Sequence, residues 1–371
     1  MNLPLVDLHD FMSTMQKKPQ EQRIKELQEQ GLGVPVRSYV LDGHRFVHVG
    51  DKVMRSKKKF HWNTFQDFLR SYINDVLFCK GGWYRNEQNK PLTEKHPILQ
   101  WLENDIKNNN DISTAIQNEP GIYSKPMIGS SRSLLRLAWN LFLIAHNNVN
   151  IQSRLLKRLK TPDSFHGAYY EIHVAAMLIQ AGFHVKLEYD QSKSHYDITA
   201  TSKITGKLYS VEAKTKAVAG VLGKVADKEV KFKSSAEDPT IIAQLKKALK
   251  QTAQYPRMIF IDMNVSPDLI DEKYIRKAID SIKTYELSQI DSEKLKQAYV
   301  LVTNHPSHYV TQTNDMQIAV GVSGYNINDL PFGTPPPDSD NQKIKKSFET
   351  HKDLVRLVQS MTTHYEMPTR F

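Results

Sequence analysis

Four residues in three neighbouring segments could do chemistry together: Glu171 in FHGAYYEIHVAAMLIQAG, Asp197 in HYDITAT, and Glu212 with Lys214 in LYSVEAKTK. Side chains of an extended strand alternate, so Ser210, Glu212, Lys214 and Lys216 face one way while Val211 and Ala213 face the other. The connection Lys203-Ile204-Thr205-Gly206-Lys207 has the composition of a tight turn with glycine in a left-handed position. A turn centred on Ile204-Thr205 sets Asp197 opposite Glu212 to within one residue. Two carboxylates at about 4 Å repel by roughly 4 kcal/mol at an effective dielectric near 20. A proton or a cation must relieve that cost, and hard divalent cations favour such oxygen clusters. Lys214 adds a positive charge where a water or a phosphate would lie. Glu171 shares a helical stripe with Gly167, Val174, Ala175 and Leu178; a helix packed on a sheet buries that stripe, and a buried charge needs a partner.

The order of a helix Glu, a strand Asp and a Glu-x-Lys on the next strand resembles the PD-(D/E)XK nuclease superfamily, which includes restriction enzymes, Holliday-junction resolvases and phage-type exonucleases. The resemblance covers residues 163–305, with Tyr196 where the motif has proline. It implies a restriction-endonuclease-like α/β fold, a mixed sheet flanked by helices, hydrolysing DNA phosphodiester bonds with Mg2+, or Mn2+ in its place. Asp197 and Glu212 would be metal ligands together with the backbone carbonyl of Ala213. Lys214 would position or polarise the attacking water, and Glu171 would hold a metal-bound water or a second ion. Related nucleases place a polar residue of the following helix at the site. Gln244 matches best here, and a solvated face is the competing reading. Lys216 is suited to the nucleic-acid backbone, and His166, near its helix start, to the substrate.

The elements that must position these groups follow from periodicity. Helical patterns cover Gln16–Gln30, Trp62–Leu77, Ile98–Lys107, Ser133–His146, Asn150–Leu159, Ser164–Ala181, Ile241–Gln254 and Leu269–Thr284. Strand patterns cover Phe183–Tyr189, Tyr196–Thr201, Leu208–Thr215, Met258–Met263 and Tyr299–Thr303, so strands alternate with helices in the second half. SYVLDGHRFVHV, with Asp-Gly at its centre, is a hairpin signal near residues 38–50. The expected organisation is a mainly helical N-terminal domain over 1–160 suited to substrate recognition, a nuclease-like domain over 161–330, and a Pro-rich linker with a C-terminal helix, Lys343–Gln359, over 331–371.

Composition sets the outer bounds. The chain has 371 residues, one cysteine, net charge +10 and pI near 9.3. Residues 207–257 carry 11 Lys and Arg against 5 Asp and Glu, which favours polyanionic partners: DNA, with RNA left open. No apolar run approaches the roughly 18 residues of a membrane span, and no secretion signal is evident, so a cytoplasmic location and no membrane partner are expected. Cys79 is expected to be a buried small hydrophobe beside Phe78, and His173 a satisfied surface residue. His305 and His308 have zinc-like spacing without a third ligand nearby. A homodimer would suit cutting two strands. The competing class is a non-catalytic module that keeps the nuclease-like fold and binds nucleic acid or a partner in a defence or repair system.

Overall fold

The structure, a computed structural model, describes residues 31–59, 61–79, 82–91, 94–111, 116–119, 122–124, 127–188, 195–215, 239–264, 272–289, 296–305, 319–332, 342–364, 366–368 and 371. The expected helix over Gln16–Gln30, Lys216 and the loop after it, His308 and most of the Pro-rich stretch lie outside these residues.

The Asp42-Gly43 signal forms a hairpin. Both turn residues take positive φ (51° and 74°), which matches the twist of β1 (Ser38–Leu41) and β2 (His44–Val49). An unexpected third strand, β3 (Lys52–Arg55), extends it antiparallel. Val47 and Val49 of β2 are buried against the helices. Helix α1 (Phe65–Ile73) starts at Thr64, which forms a reciprocal capping box with Asp67. It continues as a π-helical turn, Asn74–Phe78, that seats Phe78 in the core. Cys79 falls just beyond and is exposed, bonded to Asn74 and Asp75, so the expected buried position belongs to Phe78 instead. Helices α2 (Trp83–Gln88) and α3 (Pro97–Asn110), a small hairpin of β4 (Ile116–Glu119) and β5 (Ile122–Ser124), and the almost wholly buried α4 (Gly129–His146) follow.

After α5 (Ser153–Leu159), helix α6 (Pro162–Gln180) leads into a six-stranded mixed sheet ordered β11-β10-β9-β8-β7-β6. Its strands are β6 (Phe183–Leu187), β7 (Ile198–Ser202), β8 (Leu208–Thr215), β9 (Arg257–Asp262), β10 (Ala298–Asn304) and β11 (Ala319–Tyr325). β6, β7 and β8 form an antiparallel meander, β8, β9 and β10 run parallel, and β11 is antiparallel at the edge. Crossover helices α7 (Pro239–Lys250) and α8 (Glu272–Leu287) make the parallel connections possible. One sheet face (Val211, Phe260, Leu301) packs in the cluster that holds α6, and the other (Ile259, Ile261, Val300, Val302) packs with α7 and α8.

The expected single C-terminal helix is two, α9 (Gln342–Thr350) and α10 (Lys352–Thr363). The break falls at His351, whose imidazole is committed to the Tyr299 hydroxyl (3.0 Å) and Asp329 (3.1 Å). α10 buries Leu354, Leu357 and Met361 in the cluster that also contains α4 and α6. Among the described residues no helix is long and apolar enough to cross a membrane.

Candidate functional site

The β7–β8 turn sets the register. Ser202 N–H donates to the Lys207 carbonyl, and Gly206 takes φ +70°, the left-handed position expected of it. Ile198 then pairs with Val211, and one step further Asp197 comes beside Glu212. The ladder does not simply continue. Asp197 N–H still donates to the Val211 carbonyl (3.1 Å), but the Asp197 carboxylate accepts from Ala213 N–H (2.9 Å). Ala213, expected to offer its carbonyl, is seen holding this acid through its amide.

Glu212 is almost wholly buried because its strand lies inside the sheet between β7 and β9. Its Oε1 accepts from Lys214 Nζ, while its Oε2 is buried with no hydrogen-bond partner. Glu171 is buried on α6, as its stripe requires, and pairs with Arg158 Nη1 of α5 at 2.5 Å. Sequence reasoning missed Arg158. Its only signal was a basic side chain in the last turn of the preceding helix, and only the packing of α5 on α6 brings it to Glu171.

The electrostatics join these groups into one neighbourhood. Burial and then Asp197 push the Glu171 carboxyl up, with Arg158 and Lys214 pulling back. Burial and then Asp197 also push Glu212 up, opposed by Lys214 and reinforced by Glu171. Burial lowers Lys214, but Asp197, Glu212 and Glu171 outweigh it and hold the amine above its usual value. The three acids and the lysine therefore act on one another electrostatically. One oxygen of each acid, however, is taken by a protein donor: Lys214 on Glu212, Arg158 on Glu171 and Ala213 N–H on Asp197. Among the described residues no group of three or more His, Cys, Asp and Glu side chains is arranged to hold a metal ion. One feature does suit a hard cation: a buried carboxylate oxygen without a donor, Oε2 of Glu212, in a cluster rich in oxygen ligands.

The secondary candidates fall elsewhere. Gln244 is half-buried on α7, which packs through Ile241, Ile242, Leu245 and Leu249. His166, its imidazole lowered by burial, lines a small neighbouring cavity with Thr215, Asp262, Asn264 and His305, not the acid cluster itself. His173 is buried, not on the surface: α4 covers that side of α6, and Asn140 meets His173 Nδ1 at 2.7 Å. Its ring stands edge-on to His305 at 3.9 Å.

Sequence reasoning also missed Asp262, the last residue of β9, in register with Thr215 on one side and Thr303 on the other. Burial pushes its carboxyl up to about 7, opposed by hydrogen bonds from Thr303, the His305 backbone, Thr215 and the Asn264 backbone. Thr303 Oγ1 donates to it at 3.3 Å and shares a 2.7 Å hydrogen bond with the Tyr170 hydroxyl. An acid closing the apolar run Met258–Ile261 was the available signal.

No family model, curated protein or solved structure matches the chain.

Proposed function

We propose that the chain is a metal-dependent nuclease that hydrolyses DNA phosphodiester bonds, on a sheet of the restriction-endonuclease-like kind and with a site resembling the PD-(D/E)XK pattern. One observation carries this reading. Glu171, Asp197, Glu212 and Lys214 arrive from a helix and two paired strands in a single neighbourhood, where two acids are pushed toward protonation and a buried Glu212 oxygen has no donor. That is an arrangement short of positive charge, and buried acids shifted by burial and by a specific charged neighbour mark a candidate functional site.

Asp197 and Glu212, with the Ala213 carbonyl and Glu171, would hold Mg2+, or Mn2+ in its place. When bound, the ion supplies charge that lowers the pKa of a water and offsets the charge building on the phosphate. Lys214, relieved of neutralising Glu212, would orient the attacking water and steady a phosphate oxygen. Arg158 would hold the Glu171 carboxylate ionised and in place. The half-buried side chains of Asp197 and Lys214 are where substrate would meet this cluster.

A second reading has its own support. Lys214 and Arg158 already neutralise two of the acids, as they would in a non-catalytic module that binds nucleic acid or a partner. Plasmid and linear DNA incubated with Mg2+, Mn2+ or EDTA separate the two. The nuclease reading expects cleavage in the metals, none in EDTA, and losses of at least about a hundredfold in Asp197→Ala and Lys214→Ala. DNA binding without cleavage in either metal would sink it.

A further inference from the structure

Helix α5 buries Leu155 and Leu159, which leaves two cations of its last turn, Lys157 and Arg158, outside the core. Arg158 reaches Glu171 with one nitrogen. Nη1 meets Oε2 at 2.5 Å, and among the described residues Nε and Nη2 donate to no acceptor. The contrast within this chain is Arg70, whose Nε and Nη2 both bond the buried Asp105 carboxylate, at 2.8 and 3.2 Å. There the planar fork is spent on the acid; at Arg158 it is not. The Arg158 side chain also keeps 37% of its surface exposed, against 8% for that of Glu171. Gly167, one helical turn before Glu171 on α6, borders Nη2 with bare backbone. Among the described residues, a Cβ there would meet Nη2 at 3.5 Å and nothing else within 4 Å beyond its own helix. Lys157 is exposed beside it in sequence. Asp163, in the first turn of α6, is exposed as well and forms no ion pair among the described residues.

We propose that Arg158 binds a phosphate of the DNA substrate through Nε and Nη2 while Nη1 stays on Glu171, and that Lys157 meets a neighbouring phosphate. A guanidinium is charged at every working pH, and its fork matches two oxygens of a phosphate. Anchoring one arm on a buried carboxylate sets the plane of the fork beforehand, so less side-chain freedom is lost when the phosphate arrives. Glu171 belongs to the acid cluster, so a phosphate held here lies beside the groups proposed to act on it. The choice of DNA as the ligand rests on the nuclease reading, yet the contact is tested where cleavage is off.

The test is fluorescence anisotropy of the full chain in EDTA, with labelled duplex and single-stranded DNA of equal length across a salt series. Arg158→Gln should weaken binding roughly tenfold. It should also flatten the dependence of log Kd on log salt by roughly 1, the share of one phosphate contact. An arginine that merely held Glu171 in place would lower the melting temperature and leave the salt slope alone, and that outcome overturns the proposal. If Arg158→Gln does not fold, Lys157→Gln, altered at an exposed position, decides: a slope flattened by roughly 1 supports the proposal and a wild-type slope overturns it. Cleavage in Mg2+ judges the nuclease reading apart. Binding that depends on Arg158 in a chain that never cleaves upholds the phosphate contact and sinks the nuclease, whereas cleavage by a chain whose Arg158→Gln variant binds like the wild type does the reverse. No affinity for either DNA overturns the contact outright.

Discussion

Burial lowers the proton affinity of Lys214, yet Asp197, Glu212 and Glu171 more than offset it, so this amine is a fixed positive charge throughout the neutral range. Asp262, in the neighbouring cavity, has no such cation among the groups that act on it. Its carboxyl is raised from an ordinary 3.8 to about 7, so the fold prefers the protonated acid. The sign follows: its stabilising share is complete below a pH of about 4 and is lost as the pH rises through 7. Glu171 and Glu212 are pushed in the same direction, so the wild-type slope mixes all three. The difference between the wild type and Asp262→Asn isolates one. Between pH 5 and pH 8 the wild type should lose on the order of 3 kcal/mol relative to the variant, read from urea unfolding at both values. Parallel profiles would show that Asp262 is ionised in the folded protein at little cost.

The β7–β8 turn fixes which residue faces Asp197, and the C-terminal helix holds that turn. Asp353 of α10 accepts hydrogen bonds from Ser202 (2.7 Å), Thr205 (2.5 Å) and Tyr209 (2.9 Å), and pairs with Arg356 at 3.4 Å. Arg356 in turn donates to the Ala181 carbonyl, tying the turn to the end of α6. Asp353→Ala would take the acceptor from three hydroxyls and the carboxylate from a half-buried guanidinium, and should cost about 3 kcal/mol in chemical unfolding. A loss below about 1 kcal/mol would mean that water replaces the carboxylate freely. None of this grip was legible in the sequence, because Asp353 lies far from Ser202, Thr205 and Tyr209 along the chain and its helix had no mark of docking there. What was legible is local: β8 has the limits its alternation gives, and the Asp-Gly hairpin and the Gly206 turn have the backbone their residues demand. The edge strand β11 was not, since Gly321 and Gly324 interrupt its alternation. A Cβ at Gly321 would come within 2.6 Å of Ile275, so close helix packing explains that glycine better than a turn does.

At the scale of the whole molecule, the helices before residue 160 do not bury their apolar faces among themselves alone. Trp139, Phe142 and Leu143 of α4 belong to the same buried cluster as Ile172 and Val174 of α6, Val211 of β8 and Leu357 of α10. Periodicity marked each of these faces as apolar but could not say which would meet, because pairing of faces is decided by tertiary packing. A continuous core joins the helices to the sheet that carries the acids, so the two should melt together. The four tryptophans allow a clean check, because Trp62, Trp83, Trp101 and Trp139 all lie in the helical half while the sheet has none. Tryptophan fluorescence therefore follows the helices and far-UV circular dichroism the whole chain. Coincident urea midpoints by the two probes are expected of one cooperative unit. Were the fluorescence midpoint to separate from that of the dichroism, the packing of α4 on α6 would contribute too little to couple the halves, and substitutions in one would leave the stability of the other unchanged.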